Sequence, residues 1–257
     1  MPAPKHASDF DTLACEYARF RSSYSDTLFD AILEYARPRS GRRALDLACG
    51  TGLSTVGISA RDVAVTGIDV APNMLEAARA SVPEGSFFVA RAEALPFADE
   101  SFGLVTCGQA FHWFDAPAAL AEIERVLVHG GAHAQFWKDA LPTDPFTKAA
   151  DDLEREWSGR DPTDMARELW GSLPQTWKDS RLVDRQKRIF DVLLPFTVDS
   201  FVGYHRSRES LRLALGPRRE AYLVALRERI AAIAPASGAF EVQAKEYLFL
   251  SRRSGGA

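Results

Sequence analysis

Two glycines and a carboxylate carry the first chemical signal in this chain. Ala44, Leu45 and Leu47 form an apolar run of strand length, and Gly50-Thr51-Gly52 ends it sharply before a longer apolar pattern begins at Leu53. Strand, tight turn and helix in that order let backbone N–H groups approach a ligand with no Cβ in the way, beside the partly positive end of a helix. The stretch Asp62 to Asp69, D-V-A-V-T-G-I-D, is rich in β-branched residues and ends on an acid seventeen positions after Gly52. A carboxylate at the tip of the second strand of a βαβ unit can accept both hydroxyls of a ribose, which makes Asp69 the ribose candidate. The pattern describes a nucleotide-binding edge.

Dinucleotides and S-adenosylmethionine (SAM) both use such an edge. The dinucleotide fingerprint G-x-G-x-x-G needs its third glycine for close packing of helix on strand, and Thr55 stands there. The match to a dinucleotide site is therefore weak.

These residues need a repeating frame to hold them. Pro72 to Ala80 reads as a helix with Met74, Leu75 and Ala78 inward, Phe87 to Val89 as a third strand, and Phe102 to Cys107 as a fourth. A helix over Pro117 to Leu127 and a fifth strand over Ala132 to Trp137 follow. Ahead of the frame, Phe10 to Arg37 has helical spacing that Pro38 ends. Behind it, Lys138 to Ser180 breaks the pattern: Pro142, Pro145, Pro162 and Pro174 punctuate amphipathic pieces carrying Trp157, Trp170 and Trp177. Arg188 to Val198 then alternates like a strand, Asp199 to Ile233 is helical with a break near Gly216-Pro217, and Glu246 to Leu250 closes the chain as a strand.

The 257 residues are 46% hydrophobic, ample for a core, and the formal charge of −4 gives no general attraction to nucleic acid. Arginines between Arg181 and Arg219 are interleaved with acids and read as a solvated surface. The three cysteines lack a C-x-x-C spacing, and no histidine pair with a carboxylate has metal-ligand spacing, so the chain reads as metal-free and adapted to a reducing compartment. No signal core or membrane-length apolar run appears, which makes cytoplasmic the default and a membrane partner unexpected.

Several motifs then arrive in order. Asp46 to Gly52, D-L-A-C-G-T-G, resembles motif I of class I SAM-dependent methyltransferases, and Gly67 to Leu75 resembles the segment that follows it. Ala90 to Phe97 resembles the family's G-D-A-E-x-L-P-F loop, with Arg91 where an aspartate is common. Gly103 to Phe114 resembles the D-L-V-T-x-x-Q-A-x-H-W-F motif of the trans-aconitate methyltransferase-like small-molecule branch (methyltransferase type 11). Arg125 to Gly131 is similar to R-V-L-x-P-G-G with His129 for proline, and Tyr17 to Tyr24 to the entry segment Y-x-x-x-R-P-x-Y with Ser22 for proline.

The resemblance implies an α/β fold, a Rossmann-like seven-stranded sheet of order 3-2-1-4-5-7-6 with its last strand antiparallel, and a helical cap after strand five. It divides the chain into a covering segment (1–37), a SAM-binding core (38–137), a cap over the acceptor (138–186) and a completion of the sheet (187–257). It implies that Tyr17, Arg21, Asp46, Ala48, Gly50, Gly52, Asp69, Val70, Met74, Ala92, Glu93 and Gln109 serve the cofactor, with Arg21 suited to the methionine carboxylate. His112, Trp113, Trp137 and Trp170 fall to the acceptor, a small organic molecule bearing a carboxylate, hydroxyl or nitrogen. His112 is either a base or a structural donor to a backbone carbonyl, and the second weighs more because the motif occurs where no base is needed. The alternatives are a methyltransferase of heteroaromatic secondary metabolites with His112 assisting, and a SAM-binding sensor without turnover. Cys49 and Cys107 read as packing residues.

Overall fold

The computed structural model describes residues 13–36, 43–159, 161 and 180–255. Its centre is a parallel sheet whose strands are buried on both faces, which is why β1 (Arg43–Leu47), β2 (Ala64–Asp69) and β4 (Phe102–Gly108) are near-continuous apolar runs. β3 (Ser86–Val89) is the short edge beside β2, and β5 (Leu127–Ala140) lies on the other side of β4. β6 (Leu182–Thr197) and β7 (Ala239–Arg253) complete seven strands in the order β3-β2-β1-β4-β5-β7-β6, with β7 antiparallel to both neighbours. Fold class, strand order and the reversed last strand agree with the sequence reading.

Alternating residues of β1 feed two cores. Leu45 and Leu47 join Val105, Cys107 and the helix α5 (Ala116–Val126) on one face. Ala44 joins Leu104, Phe136 and the helix α2 (Asp26–Ala36) on the other. The N-terminal helical pattern is two helices, α1 (Ala14–Phe20) and α2, separated by residues 21–25 in non-helical backbone. Helix α3 (Leu53–Ser59) follows β1 and α4 (Pro72–Ser81) follows β2, with Met74, Leu75 and Ala78 buried as their spacing predicts.

The second half departs from the sequence reading in two ways. The Gly130-Gly131 segment is a bulge within one long β5, where the register against β4 jumps between Phe102↔Leu127 and Leu104↔Ala132. β6 and β7 are also far longer than their apolar centres, and run on as a two-stranded ribbon to Thr197↔Ala239. The ribbon ends in a third core formed with α6 (Pro145–Ser158), α7 (Val198–Arg206), α8 (Glu209–Leu215) and α9 (Arg219–Ala231). Residues 198–231 therefore pack with the cap rather than with the sheet to which the sequence division gave them. Trp157 packs in this core against Tyr222, and Trp170 and Trp177 lie outside the described residues.

Candidate active site

The loop after β1 owes its shape to residues above and below it. Asp46 is fully buried and accepts hydrogen bonds from Ser54 Oγ at 2.6 Å, Thr55 Oγ1 at 2.7 Å and Thr106 Oγ1 at 2.9 Å, tying β1 to α3 and β4. Burial pushes its carboxyl pKa up against those bonds. Asp46 thus sits beneath the site and not on its wall, so its part is to hold the loop and not to touch a ligand. Gly52 is also off the wall: at φ +87° a Cβ would meet the Ala78 backbone at 3.2 Å, so the glycine lets α3 start close against α4.

Above this base the ends of three parallel strands open on one cavity of about 680 Å³, within the roughly 300–1,000 Å³ of small-ligand sites. Ala48 directly follows β1 and Gln109 directly follows β4, and both line the cavity in left-handed backbone at φ 49° and 55°. Non-glycine residues held that way mark positions the surrounding structure over-determines, as at ligand clamps. Asp69 ends β2; its carboxylate accepts from Gly50 N at 3.0 Å and Ala71 N at 2.9 Å and faces the same space. Val70, Met74, Ala92 and Glu93 line this half as well. Arg91 pairs with Glu93 at 3.4 Å, and Glu93 accepts from Asp115 N.

The segment between α1 and α2 is strapped across the opening. Lys138, on β5, donates to the carbonyls of Ser22 and Ser23 and to Ser22 Oγ, and burial pulls its ammonium pKa down to about 8. Glu246, on β7, accepts from the backbone and hydroxyl of Ser25. Arg21 lies against the rings of Tyr17 and Tyr204 and donates to Ser207 Oγ at 2.8 Å, joining the strap to the cap. Gln109 is held between them, donating to the Lys138 carbonyl and accepting from Tyr24.

His112, Trp113 and Trp137 stand where the cavity passes from the sheet edge toward the cap. The expected bond from His112 to a backbone carbonyl is not there: its Nδ1 is buried without a partner, and burial lowers the imidazole pKa to about 4. A neutral imidazole with unmet hydrogen-bonding capacity is suited to orienting a ligand, and too weakly basic to be a strong proton acceptor. Cys49 and Cys107 are buried with raised pKa values, as packing residues would be.

Beyond this neck lies a chamber under the cap that sequence reasoning did not identify. Asp139 and Leu141 come from β5 and its exit, Asp151 from α6, Phe196 from β6, Tyr204 and His205 from α7, and Arg208 from the α7–α8 junction. No motif joins these stretches; the available clue was the division that set the acceptor under residues 138–186, in which Asp139 and Asp151 lie. Among the described residues no group of three histidine, cysteine or acidic side chains could hold a metal, and no helix is long and apolar enough to cross a membrane.

Residues 45–134 match the sequence profile of a family described as a methyltransferase domain, and carry such a domain. An uncharacterized methyltransferase of Mycobacterium tuberculosis is 36% identical over 128 residues, 50% of this chain and 51% of the relative. The malonyl-[acyl-carrier protein] O-methyltransferase of Erwinia pyrifoliae is 38% identical over 103 residues, 40% of this chain and 39% of that one. The chain thus spans about half the length, or less, of these curated relatives. Among solved structures, a protein of Anaeromyxobacter dehalogenans provisionally described as a type II methyltransferase superposes with a TM-score of 0.68 at 21% identity, covering 92% of this chain and 100% of the other. The geranyl diphosphate C-methyltransferase of Streptomyces coelicolor, solved with Mg2+, geranyl diphosphate and S-adenosylhomocysteine, gives 0.51 at 14% identity, covering 97% and 85%. These likenesses establish the fold.

Proposed function

We propose that this chain is a SAM-dependent methyltransferase acting on a small organic molecule, with SAM at the strand tips and the acceptor in the chamber beneath the cap. The observation that carries the reading is one continuous cavity joining a ribose-type carboxylate, Asp69, to an aromatic and apolar chamber through the neck at His112 and Trp113. The methyltransferase domain match and the relatives' names support the activity. The S-adenosylhomocysteine held by a protein of the same fold supports the cofactor. The residues fit that cofactor: Asp69 for the ribose, the tight backbone at Ala48 and Gln109 for close approach, Ala92 and Glu93 for the base, and Arg21 for the carboxylate.

When bound, SAM supplies an activated methyl group on a sulfonium, so the protein's task is alignment and exclusion of water. The strap lies beside the cofactor half, and Trp113 and Trp137 add aromatic surface to the cavity wall. His112 orients the acceptor there. Replacing it by alanine is expected to lower kcat by about tenfold. The pH–rate profile between pH 6 and 9 keeps its shape, because an imidazole whose pKa is lowered to about 4 stays neutral over that window and protonates only in acid. An inflection near neutrality that disappears in His112→Ala would instead make His112 the base.

The strap yields a second expectation. Lys138→Met keeps the stem and removes three donated bonds to Ser22 and Ser23, and should speed SAM dissociation by about fivefold. Stopped-flow displacement of SAM measures this, and an unchanged off-rate would remove the strap's retaining role.

The experiment that tests the reading is conversion of SAM to S-adenosylhomocysteine in the presence of candidate small acceptors. Binding of SAM with no product for any acceptor would leave the sensor reading in its place.

A further inference from the structure

The acceptor chamber carries a charge imbalance that methyl transfer does not by itself require. Asp139, near the end of β5, and Asp151, within α6, both line it. Neither carboxylate makes a hydrogen bond or ion pair among the described residues. The cation that acts on both is Arg208, and its charge is already met by Glu154 Oε2 at 2.8 Å. Arg155 also acts on Asp151 but is paired with Asp152 and Asp161. Arg21 and Lys138, on the cofactor side, are tied to Ser207 and to the strap. With Arg208 met by Glu154 and Arg155 by its own partners, Asp139 and Asp151 are left without a cation of their own. Burial with so little compensation pushes both aspartate pKa values up to about 6.

A second observation marks the chamber as made for a ligand. His205 is 4% exposed and lines it. Arginine can only donate, so His205 Nδ1 accepts from Arg208 Nη1, at 3.4 Å. Burial and the neighbouring guanidinium keep the ring neutral, which puts its remaining proton on Nε2. That nitrogen has no partner among the described residues. Beside Phe196, Phe201 and Val242 that N–H is placed to donate to an acceptor atom or ring face on the body of a bound molecule.

We propose that the acceptor is a small amine on an apolar or aromatic body, drawn in as its ammonium by Asp139 and Asp151; one carboxylate takes a proton, and the freed nitrogen lone pair takes the methyl as the C–S electron pair returns to sulfur. The proposal rests on the reading of this chamber as the acceptor site. The apolar wall takes the body, and the excess charge rejects carboxylates and phosphates that would fit by size alone.

The test uses three probes of similar shape and different charge, namely phenethylamine, 2-phenylethanol and 3-phenylpropanoate, titrated calorimetrically into the S-adenosylhomocysteine-loaded protein at pH 7.5. The amine is expected to bind at least about tenfold tighter than the alcohol, with the carboxylate weakest. The double variant Asp139→Asn, Asp151→Asn should remove the amine's advantage while changing S-adenosylhomocysteine affinity less than about twofold. If that variant does not melt cooperatively, each single variant is expected to lose part of the preference. Tighter binding of the carboxylate, equal binding of amine and alcohol, no binding of any probe, or a preference that survives the substitutions would overturn the proposal. Failure of S-adenosylhomocysteine to bind is a separate result, and would overturn the cofactor reading instead.

Discussion

Replacing Asp69 by alanine is expected to weaken SAM binding by about 1–3 kcal/mol, a factor of about 5–150 in Kd. The carboxylate is 8% exposed, lines the cavity and is aimed by the Gly50 and Ala71 amides. A charged acceptor so fixed loses little entropy when it takes ribose hydroxyls. Calorimetry with S-adenosylhomocysteine and its 2′-deoxy analogue separates the bond from damage to the loop. The wild type should discriminate between the two and Asp69→Ala should not. Equal affinity of wild type and variant for S-adenosylhomocysteine would take the ribose role away from Asp69.

The largest effect on stability is expected at Asp46. Alanine there strands the hydroxyls of Ser54, Thr55 and Thr106 in a fully buried position. The expected cost is about 3 kcal/mol, or a fall in Tm of about 6–12 °C. Burial raises the folded-state carboxyl pKa above its unfolded value, so the wild type gives up stability as pH rises through the raised value. The variant has no such loss, so its deficit should be greatest at the acid end of the range. Thermal melts across pH check both points, and a Tm within a degree or two of wild type would mean that the hydroxyls find other partners.

The strand-tip half of the cavity was legible because it is local. Strand, glycine turn and helix follow one another within Ala44–Ser59, and the spacing to Asp69 comes from one βαβ unit with no intervening choice. Two readings failed on context. Asp46 sits inside a motif whose Ala48, Cys49 and Gly50 line the cavity, yet strand alternation turns its side chain with Ala44 toward the opposite face. The His112 bond to a carbonyl was inferred without knowing what packs on the ring.

The chamber under the cap was not legible because it is assembled from stretches far apart in sequence, near Asp139, Asp151, Phe196 and Arg208. Each is unremarkable alone. The length of β7 could have been found: Phe240, Val242 and Ala244 alternate with Glu241, Gln243 and Lys245, a period of two hidden by the polar residues between. The cap boundary could not, since α6 and α9 meet only by tertiary packing.

The central claim is that this cavity moves a methyl group from SAM to a small molecule. Purified protein supplied with SAM labelled in its methyl group, and with a source-cell extract separated into small molecules, protein and nucleic acid, tests it directly. The account predicts label in the small-molecule fraction, on a product whose formation falls with Asp69→Ala. Label in protein or nucleic acid, or no transfer to any fraction by protein that binds SAM tightly, would contradict it.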